Sequence, residues 1–158
     1  MPPIVDFLAV VAYPTLISYI RDNRSPTPTS DAVSRVMSAN RSRDTKPEIT
    51  LRKALWNAGH RGYRLHYKKV PGRPDISFVG KKVAIFVNGC YWHRCPKCNY
   101  PLPKNNTAFW QAKFDRNIER DARKRKDLKA LGWKVITVWE CDLKKRMPAT
   151  LARIVKAL

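Results

Sequence analysis

The fold is decided by KVAIFVNGCYWHRCPKC, residues Lys82–Cys98. The first part of this stretch, Lys82–Val87, is an apolar run of the kind that forms a central strand covered on both faces of a sheet. The second part carries three of the four cysteines, one of the three histidines and a Tyr-Trp pair. A buried strand that leads directly into so many reactive side chains predicts a functional loop at the edge of a sheet.

The charge of the chain indicates a polyanionic partner. Its 158 residues include 32 Lys and Arg against 12 Asp and Glu, which gives a formal net charge of +20. Nucleic acid is the first candidate for the partner and an anionic membrane surface is the second. Residues 1–30 contain two Arg and two Asp, so the whole surplus belongs to residues 31–158.

The N-terminal residues differ in character from the rest. Ile4–Ile20 is apolar, but Asp6 and Pro14 interrupt it, and neither a preceding basic residue nor a following cleavage pattern supports a signal peptide. A polar, proline-rich linker follows over residues 21–30. We expect residues 1–30 to be a disordered extension, and residues 31–158 to form one domain with reduced cysteines in the cytoplasm, beside the nucleoid.

Hydrophobic periodicity predicts a mixed α/β fold. Helices are predicted from residue 31, over residues 45–59, 107–131 and 149–158, and strands over residues 63–67, 75–79, 82–87 and 133–139. Thr45 and Glu48 match a capping box at the start of the second helix. This order of elements predicts a mixed central sheet with helices on both faces.

The four cysteines form a second pattern. Three of them lie within one short loop, and the fourth lies two residues after the end of the predicted strand over residues 133–139; they are Cys90, Cys95, Cys98 and Cys141. If that strand lies beside Lys82–Val87, all four thiolates meet in a tetrahedral zinc site with no open position, which makes the zinc structural. Two disulfides or free thiols are the alternatives.

Asp75 and His93 suggest hydrolysis of a phosphodiester. Asp75 begins a strand after a rigid Pro-Gly-Arg-Pro turn, where a carboxylate at the sheet edge can hold a divalent metal. His93 lies in the cysteine loop, where an imidazole can take a proton from water. The alternatives are ordinary turn chemistry for Asp75, and a further zinc ligand or a loop hydrogen bond for His93.

One face of the long predicted helix passes from apolar to polar. Trp110, Phe114, Asn117 and Asp121 follow one another at intervals of three or four residues, so they share this face. A polar continuation of an apolar stripe is expected where a helix leaves the core and enters a site. Asp121 is then placed to orient His93. Pairing of Asp121 with neighbouring arginines in a solvated charge run is the alternative.

Taken together, these motifs resemble the very short patch repair endonuclease family. The resemblance covers about residues 31–145 and rests on the segments 37–48, 71–75, 86–98, 109–110, 117–121 and 131–141. It implies a fold similar to that of type II restriction endonucleases. It also implies nicking of one DNA strand on the 5′ side of the thymine in a T:G mismatch, the lesion left by deamination of 5-methylcytosine.

The resemblance also implies roles for individual residues. Asp75 and the carbonyl of Val87 fall on ligands of a catalytic Mg²⁺, His93 on the general base, and Asp121 on the acid that orients it. The remaining catalytic positions are Asn88 and Glu48, and the structural zinc ligands are Cys90, Cys95, Cys98 and Cys141. Two residues depart from the family pattern, since Asn88 and Cys95 both stand where histidine is found. Glu48 also has the capping explanation given above.

The DNA-contacting residues implied by the resemblance are mainly apolar. Tyr91, Trp92 and Trp110 match an aromatic wedge that inserts beside the mismatch, and Met37 matches a residue that enters from the other groove. Asn117 belongs to the same DNA-binding set. Packing over the cysteine loop is the alternative for Tyr91 and Trp92, and a place in the core is the alternative for Met37.

The sequence therefore predicts a magnesium-dependent DNA mismatch nicking endonuclease with a structural zinc. We expect a monomer that acts on double-stranded DNA and has no membrane partner. Two other functions stay open at this point. One is a less selective restriction-type nuclease that cleaves both strands of a matched site, and the other is a zinc-stabilised DNA-binding module without catalysis.

Overall fold

A four-stranded mixed sheet lies at the centre of the computed structural model, which describes Pro28 and residues 30–158. The extension predicted over residues 1–30 falls almost entirely outside the described residues. The helices and strands, in chain order, are α1 (Asp31–Ser38), α2 (Lys46–Asn57), β1 (Arg64–Leu65), β2 (Ile76–Phe78), β3 (Val83–Asn88), α3 (Thr107–Ala130), β4 (Lys134–Trp139), α4 (Glu140–Lys145) and α5 (Met147–Val155).

The strands follow one another across the sheet in the order β1-β2-β3-β4. The first three form an antiparallel meander, and a short 3₁₀ turn at Val79–Lys81 connects β2 to β3. β4 runs parallel to β3 along its whole length, with Asn88 opposite Trp139. Because the two strands are parallel and in register, their carboxyl ends meet at one edge of the sheet. The predicted pairing of these two apolar strands is confirmed.

Helices cover both faces of the sheet. Alternate residues of β3 and β4 point to opposite faces, and each face carries its own apolar cluster. On one face α2, α4 and α5 supply buried side chains such as Leu51, Leu143 and Ile154. On the other face α3 packs through Leu128 against Ala84 and Trp133. The predicted mixed α/β class with helices on both faces is confirmed.

Some predicted elements have other bounds in the structure. The strand predicted over residues 63–67 is reduced to the two residues of β1, and the last helix begins at Met147 instead of residue 149. The prediction omitted α4, which starts directly after β4. This helix carries Glu140 and Asp142 in its first turn and lysines in its last, an arrangement that complements the helix dipole.

Candidate active site

Asp75 lies where β2 and β3 meet the sheet edge. Its Oδ2 atom accepts a hydrogen bond of 2.7 Å from the backbone N–H of Val87. Extending the antiparallel register of these strands places Pro74 opposite Val87, and proline has no N–H to donate to the Val87 carbonyl. A carboxylate and a carbonyl are therefore neighbours at a strand end. Oxygen donors of these two kinds are the ligands that Mg²⁺ and Ca²⁺ prefer, so the residues present fit a hard divalent cation.

The surroundings of Asp75 favour its protonated form. Burial, helped by the nearby charge of Glu48, raises the pKa of this carboxyl from 3.8 to about 6, against the lowering effect of the Val87 hydrogen bond and the charge of Lys124. A carboxylate that is costly to ionise in the free protein gains more from a cation than an exposed one does. This supports the fit of Asp75 to a metal ligand.

A histidine that the sequence analysis did not single out lies between the two acidic residues. His66 Nε2 is 3.8 Å from Glu48 Oε2, and His66 Nδ1 is 3.9 Å from Asp75 Oδ1. Its backbone has a left-handed conformation, with φ of 45°, and its N–H donates to the Asp75 carbonyl. No local pattern of the sequence indicates this position, because the ring is brought there by the pairing of β1 with β2.

Glu48 is buried at the start of α2, but the predicted capping box differs in detail. The Thr45 hydroxyl donates to Glu48 Oε1 over 2.7 Å, and Glu48 Oε2 accepts the backbone N–H of Asp44 over 3.1 Å. Thr45 therefore does not accept an N–H of the helix, and Glu48 closes the turn one residue earlier than expected. With both oxygens engaged, Glu48 influences Asp75 through its charge.

His93 and Asp121 are in contact. The Nδ1 atom of His93 is hydrogen-bonded to Asp121 Oδ2. Burial raises the pKa of Asp121, but the hydrogen bond and charge of His93, with the charges of Lys124 and Arg120, outweigh it and hold the pKa below its usual value. An ionised carboxylate can only accept, so Nδ1 carries the proton in this pair and leaves Nε2 as the second ring nitrogen. The alternative of a purely solvated charge run for Asp121 is not what the structure has.

All the predicted catalytic side chains line one cleft. This cleft has a volume of about 2230 Å³, and its lining includes Asp75, Val87, Asn88, His93 and Asp121 as well as Glu48. Asn88 is buried at the end of β3, where it shares a small cavity with Asp121 and Lys124. The basic residues along the cleft are Arg41, Arg43, Lys46, Lys53, Arg73, Lys104, Lys113, Arg120 and Lys124. The predicted acids and histidine thus share a cleft whose positive charge suits a polyanion.

The four cysteine side chains come together beside this cleft. Their Sγ atoms all lie within 4.8 Å of one another, Cys95 Sγ is 3.8 Å from Cys141 Sγ, and none of the four is in a disulfide. Four thiolates at about 2.3 Å from a tetrahedral zinc would lie about 3.8 Å apart. The cluster therefore fits Zn²⁺. The disulfide alternative is wrong for this structure.

The cysteine loop is tied to the sheet edge by its own hydrogen bonds. The N–H of Cys95 donates to the Cys90 carbonyl over 2.9 Å, and the N–H of Cys141 donates to Cys90 Sγ over 3.3 Å. Lys97 Nζ reaches both carboxylate oxygens of the buried Asp142 in α4 at 2.8 Å. The cluster thus joins the loop after β3 to the first turn of α4, and it fixes the segment that carries His93.

The aromatic side chains of the loop pack against α3. The ring centroids of Trp92 and Trp110 are 6.0 Å apart, and those of Tyr91 and Phe114 are 5.4 Å apart. Tyr91 and Trp92 are half-buried and Trp110 is buried, yet all three line the cleft. Lys113 Nζ lies 5.3 Å from the centroid of the Trp110 ring. This lysine was not predicted as a site residue, although it follows Trp110 by three residues and so shares its face of the helix.

Asn117 and Met37 take up different positions around the cleft. The amide of Asn117 donates to the Trp92 carbonyl over 3.0 Å and accepts from Arg120 over 2.9 Å, so its side chain holds the aromatic loop in place. Met37 lies on α1, which contributes no buried residue, and it lines the cleft together with Val33 and Val36. The core alternative for Met37 therefore does not hold.

The fold and the cleft together define a class of protein. A strand-end carboxylate, a histidine-carboxylate pair and a basic, aromatic-lined cleft are the parts of a nuclease site on a mixed α/β sheet. Within residues 28 and 30–158, no helix is both long enough and apolar enough to cross a membrane.

Comparison with known proteins gives the family. Residues 27–99 match the family model described as DNA mismatch endonuclease Vsr. The chain is 43% identical over 113 residues to a type II nicking enzyme of Neisseria meningitidis, covering 70% of this chain and 79% of that enzyme. It is 42% identical over 120 residues to a type II nicking enzyme of Lentzea aerocolonigenes, covering 73% and 71%. It is 38% identical over 117 residues to the DNA mismatch endonuclease Vsr of Escherichia coli, covering 74% of each.

The chain belongs to the Vsr family of DNA mismatch endonucleases. Its class is accordingly that of an endonuclease, a hydrolase with DNA as substrate. The predicted family resemblance is confirmed, and membership of a nuclease family suggests a divalent metal.

Proposed function

We propose that this enzyme nicks one strand of double-stranded DNA on the 5′ side of the thymine in a T:G mismatch, the lesion that deamination of 5-methylcytosine leaves. One observation carries the proposal: Asp75 and the hydrogen-bonded pair of His93 and Asp121 line the same basic cleft as the aromatic side chains of Tyr91 and Trp92. Hydrolytic groups and a surface that can unstack bases are thereby adjacent.

Magnesium is the proposed catalytic ion, and Asp75 with the carbonyl of Val87 would hold it. When bound there, Mg²⁺ supplies positive charge that stabilises the phosphate in the transition state. The chain's own contribution is to fix the ligands, because the Val87 N–H orients the Asp75 carboxylate at 2.7 Å. When no ion is bound, the negative charge of Glu48 makes ionisation of Asp75 less favourable.

His93 is the proposed general base. Asp121 accepts a hydrogen bond from Nδ1–H of the ring and so leaves Nε2 to take a proton from water while the water oxygen bonds to phosphorus. The bond from phosphorus to the leaving sugar oxygen breaks in the same displacement, and that oxygen takes a proton from solvent. The imidazolium that forms is stabilised by the Asp121 carboxylate. The zinc-fitting cysteine cluster and the Asn117 amide hold the loop that carries the ring, so we propose a structural role for the zinc and a positioning role for Asn117.

Recognition of the mismatch is assigned to the aromatic wall. A mispair is cheaper to unstack than a matched pair, so a side chain that needs to insert between bases selects mispairs. Trp92 is the proposed wedge, with Tyr91 and Trp110 behind it and Met37 on the α1 side of the cleft. Residues 31–158 act as one monomeric unit in this proposal, and the site of action is the bacterial cytoplasm, next to the chromosome.

A strand-specific assay tests the proposal. Duplexes that differ only in a central T:G, T:A or C:G pair, labelled differently on each strand, are incubated with the protein in Mg²⁺ and in chelator. We expect a single nick, 5′ of the mispaired thymine, in the T:G duplex with Mg²⁺ only. Cleavage of both strands of a matched duplex would instead establish the restriction-type nuclease, and binding without any cleavage would establish the DNA-binding module.

A further inference from the structure

Lys124 projects from α3 into the gap between the two acidic parts of the site. Its Nζ atom is 3.7 Å from Asp121 Oδ1 and 5.9 Å from the centroid of the Phe86 ring. The side chain lines the main cleft and also the small cavity that contains Asn88. Lys124 is therefore a cation that faces both Asp121 on the helix and the end of β3, and of the two cations that line the small cavity, Lys124 and Arg125, it is the one that also lines the main cleft.

The stem of Lys124 packs against the turn before Asp75. Gly72 has a left-handed conformation with φ of 76°, and a Cβ added there would lie 2.8 Å from Lys124 Cγ. Glycine at residue 72 thus permits the close passage of the lysine stem across the turn. This contact holds Lys124 close to Asp75. The positive charge of Lys124 acts to lower the pKa of both Asp75 and Asp121.

The chemistry of the site leaves a place for such a cation. At the end of β3 the chain presents a neutral carbonyl at Val87 and a neutral amide at Asn88, and the other proposed catalytic groups are carboxylates and a ring that accepts a proton. The pentacovalent phosphate of hydrolysis gains negative charge on its non-bridging oxygens. Lysine and arginine side chains that contact these oxygens lower the barrier, as a metal does from the opposite side.

We propose that Lys124 is a further catalytic residue, which contacts a non-bridging oxygen of the scissile phosphate between Asp75 and Asp121. The inference rests on the proposed nicking activity and adds a residue to the same site. In the free protein Lys124 pairs loosely with Asp121, since 3.7 Å is longer than a hydrogen bond. The phosphate takes the place of that partner when DNA binds.

Matched variants test the role of the charge. Lys124→Met keeps the apolar stem against Gly72 and removes the charge, Lys124→Arg keeps the charge, and Lys126→Met removes an equal charge from an exposed position of the same helix. Single-turnover nicking of a T:G duplex is measured at saturating enzyme, with DNA affinity measured separately in chelator. Thermal unfolding shows whether each variant is folded, and Lys124→Gln replaces Lys124→Met if the latter is not.

We expect a roughly 100-fold loss of single-turnover rate for Lys124→Met, the size seen when one group that stabilises transition-state charge is removed. Lys124→Arg should retain most of the rate, and Lys126→Met all of it. The loss should persist on the plateau of the pH profile, where Asp75 and Asp121 are fully ionised, because Lys124 acts on the phosphate. Equal rates for Lys124→Met and Lys126→Met would overturn the inference, and so would a displaced pH profile with an unchanged plateau, which would mean that Lys124 acts through Asp121 and His93. A wild-type protein that nicks no duplex would refute the proposed function instead.

Discussion

His93 Nδ1 is hydrogen-bonded to the carboxylate of Asp121, which lies 28 residues further along the chain. This contact joins the cysteine loop to α3 in the wall of the cleft. It also fixes which nitrogen of the ring is available, because an ionised Asp121 can only accept a proton from Nδ1. The catalytic prediction for His93 depends on this contact, and removing the acceptor tests it.

We expect Asp121→Asn to slow nicking by about a hundredfold to ten-thousandfold, since a neutral amide can donate to the ring and hold it in the wrong tautomer. The side chain keeps its size, so DNA affinity should be nearly unchanged. Single-turnover rates on a T:G duplex and binding in chelator measure the two effects. Asp127→Asn is the control, because Asp127 is exposed on the same helix. If Asp121→Asn nicks as fast as Asp127→Asn, the carboxylate does not orient the base.

The raised pKa of Asp75 predicts a pH dependence of stability. Burial, helped by Glu48, raises the pKa of the carboxyl in the native state from 3.8 to about 6. The native state therefore favours the protonated form, so this contribution to stability is full below the unfolded pKa and is lost as pH rises through about 6. In chelator, Asp75→Asn should be more stable than wild type at pH 8, by on the order of 2 kcal/mol, and the difference should shrink towards pH 5.

Magnesium should reverse the order of stability of wild type and Asp75→Asn at pH 8. The ion binds the ionised carboxylate, so Mg²⁺ should raise the unfolding temperature of the wild type at pH 8 and have a weaker effect at pH 5, where protons compete. Asp75→Asn should show neither effect and should bind DNA without nicking it. The measurement is thermal unfolding with and without Mg²⁺ at both pH values. An equal Mg²⁺ effect on Asp75→Asn would place the ion elsewhere.

The sequence was sufficient for the parts of the site that depend on strand ends. Cys90 and Cys141 follow two apolar runs, and apolar runs of this kind pair as neighbours in a sheet, so the meeting of the cysteines could be predicted from the sequence. The helical spacing of Trp110 and Asp121 likewise placed the acid on the face towards the loop. These predictions need only the helical period of α3 and the pairing of β3 with β4.

Other parts of the site depend on contacts that no local pattern encodes. His66 reaches Glu48 and Asp75 only because two short strands pair, and one of those strands is two residues long. Lys124 follows Asp121 by three residues and so continues the same face of α3, but it belongs to a run of basic residues whose spacing does not show which amine reaches the site. What distinguishes it is the passage of its stem over Gly72, which is a tertiary contact.

The cysteine cluster predicts that zinc is required for the folded state. We expect the purified chain to contain one zinc ion and Cys141→Ser to lose it, with a large fall in unfolding temperature, because a site shared by two elements contributes its binding free energy to folding. Metal analysis and thermal unfolding measure the two quantities. Lys97→Ala is the control, since it removes the link to Asp142 and keeps every thiol. A zinc-free wild-type chain with four free thiols and an unchanged fold would contradict the prediction.

Trp92 is the side chain whose removal should affect mismatch selection most. It is half-buried in the cleft wall, where Trp110 and Lys113 support the ring on the side of α3. Stacking of an aromatic ring on a base is worth about 1–3 kcal/mol, so Trp92→Ala should weaken binding to a T:G duplex roughly 10-fold to 100-fold. Binding to a matched duplex should change much less, because its bases stay stacked and its contacts are with the backbone. The preference for the mismatch should therefore fall.

The matched control for this change is Trp56→Ala. Trp56 lies on α2, is 51% exposed, is not part of the cleft wall and stacks with Arg61. Its loss removes a ring of the same size and should leave the affinity ratio between T:G and T:A duplexes unchanged. Titrations of both duplexes at one salt concentration give this ratio for the wild type and the two variants, and the common salt removes the shared phosphate contribution. If Trp92→Ala lowers both affinities by the same factor, the ring contributes to general DNA binding and another side chain selects the mismatch.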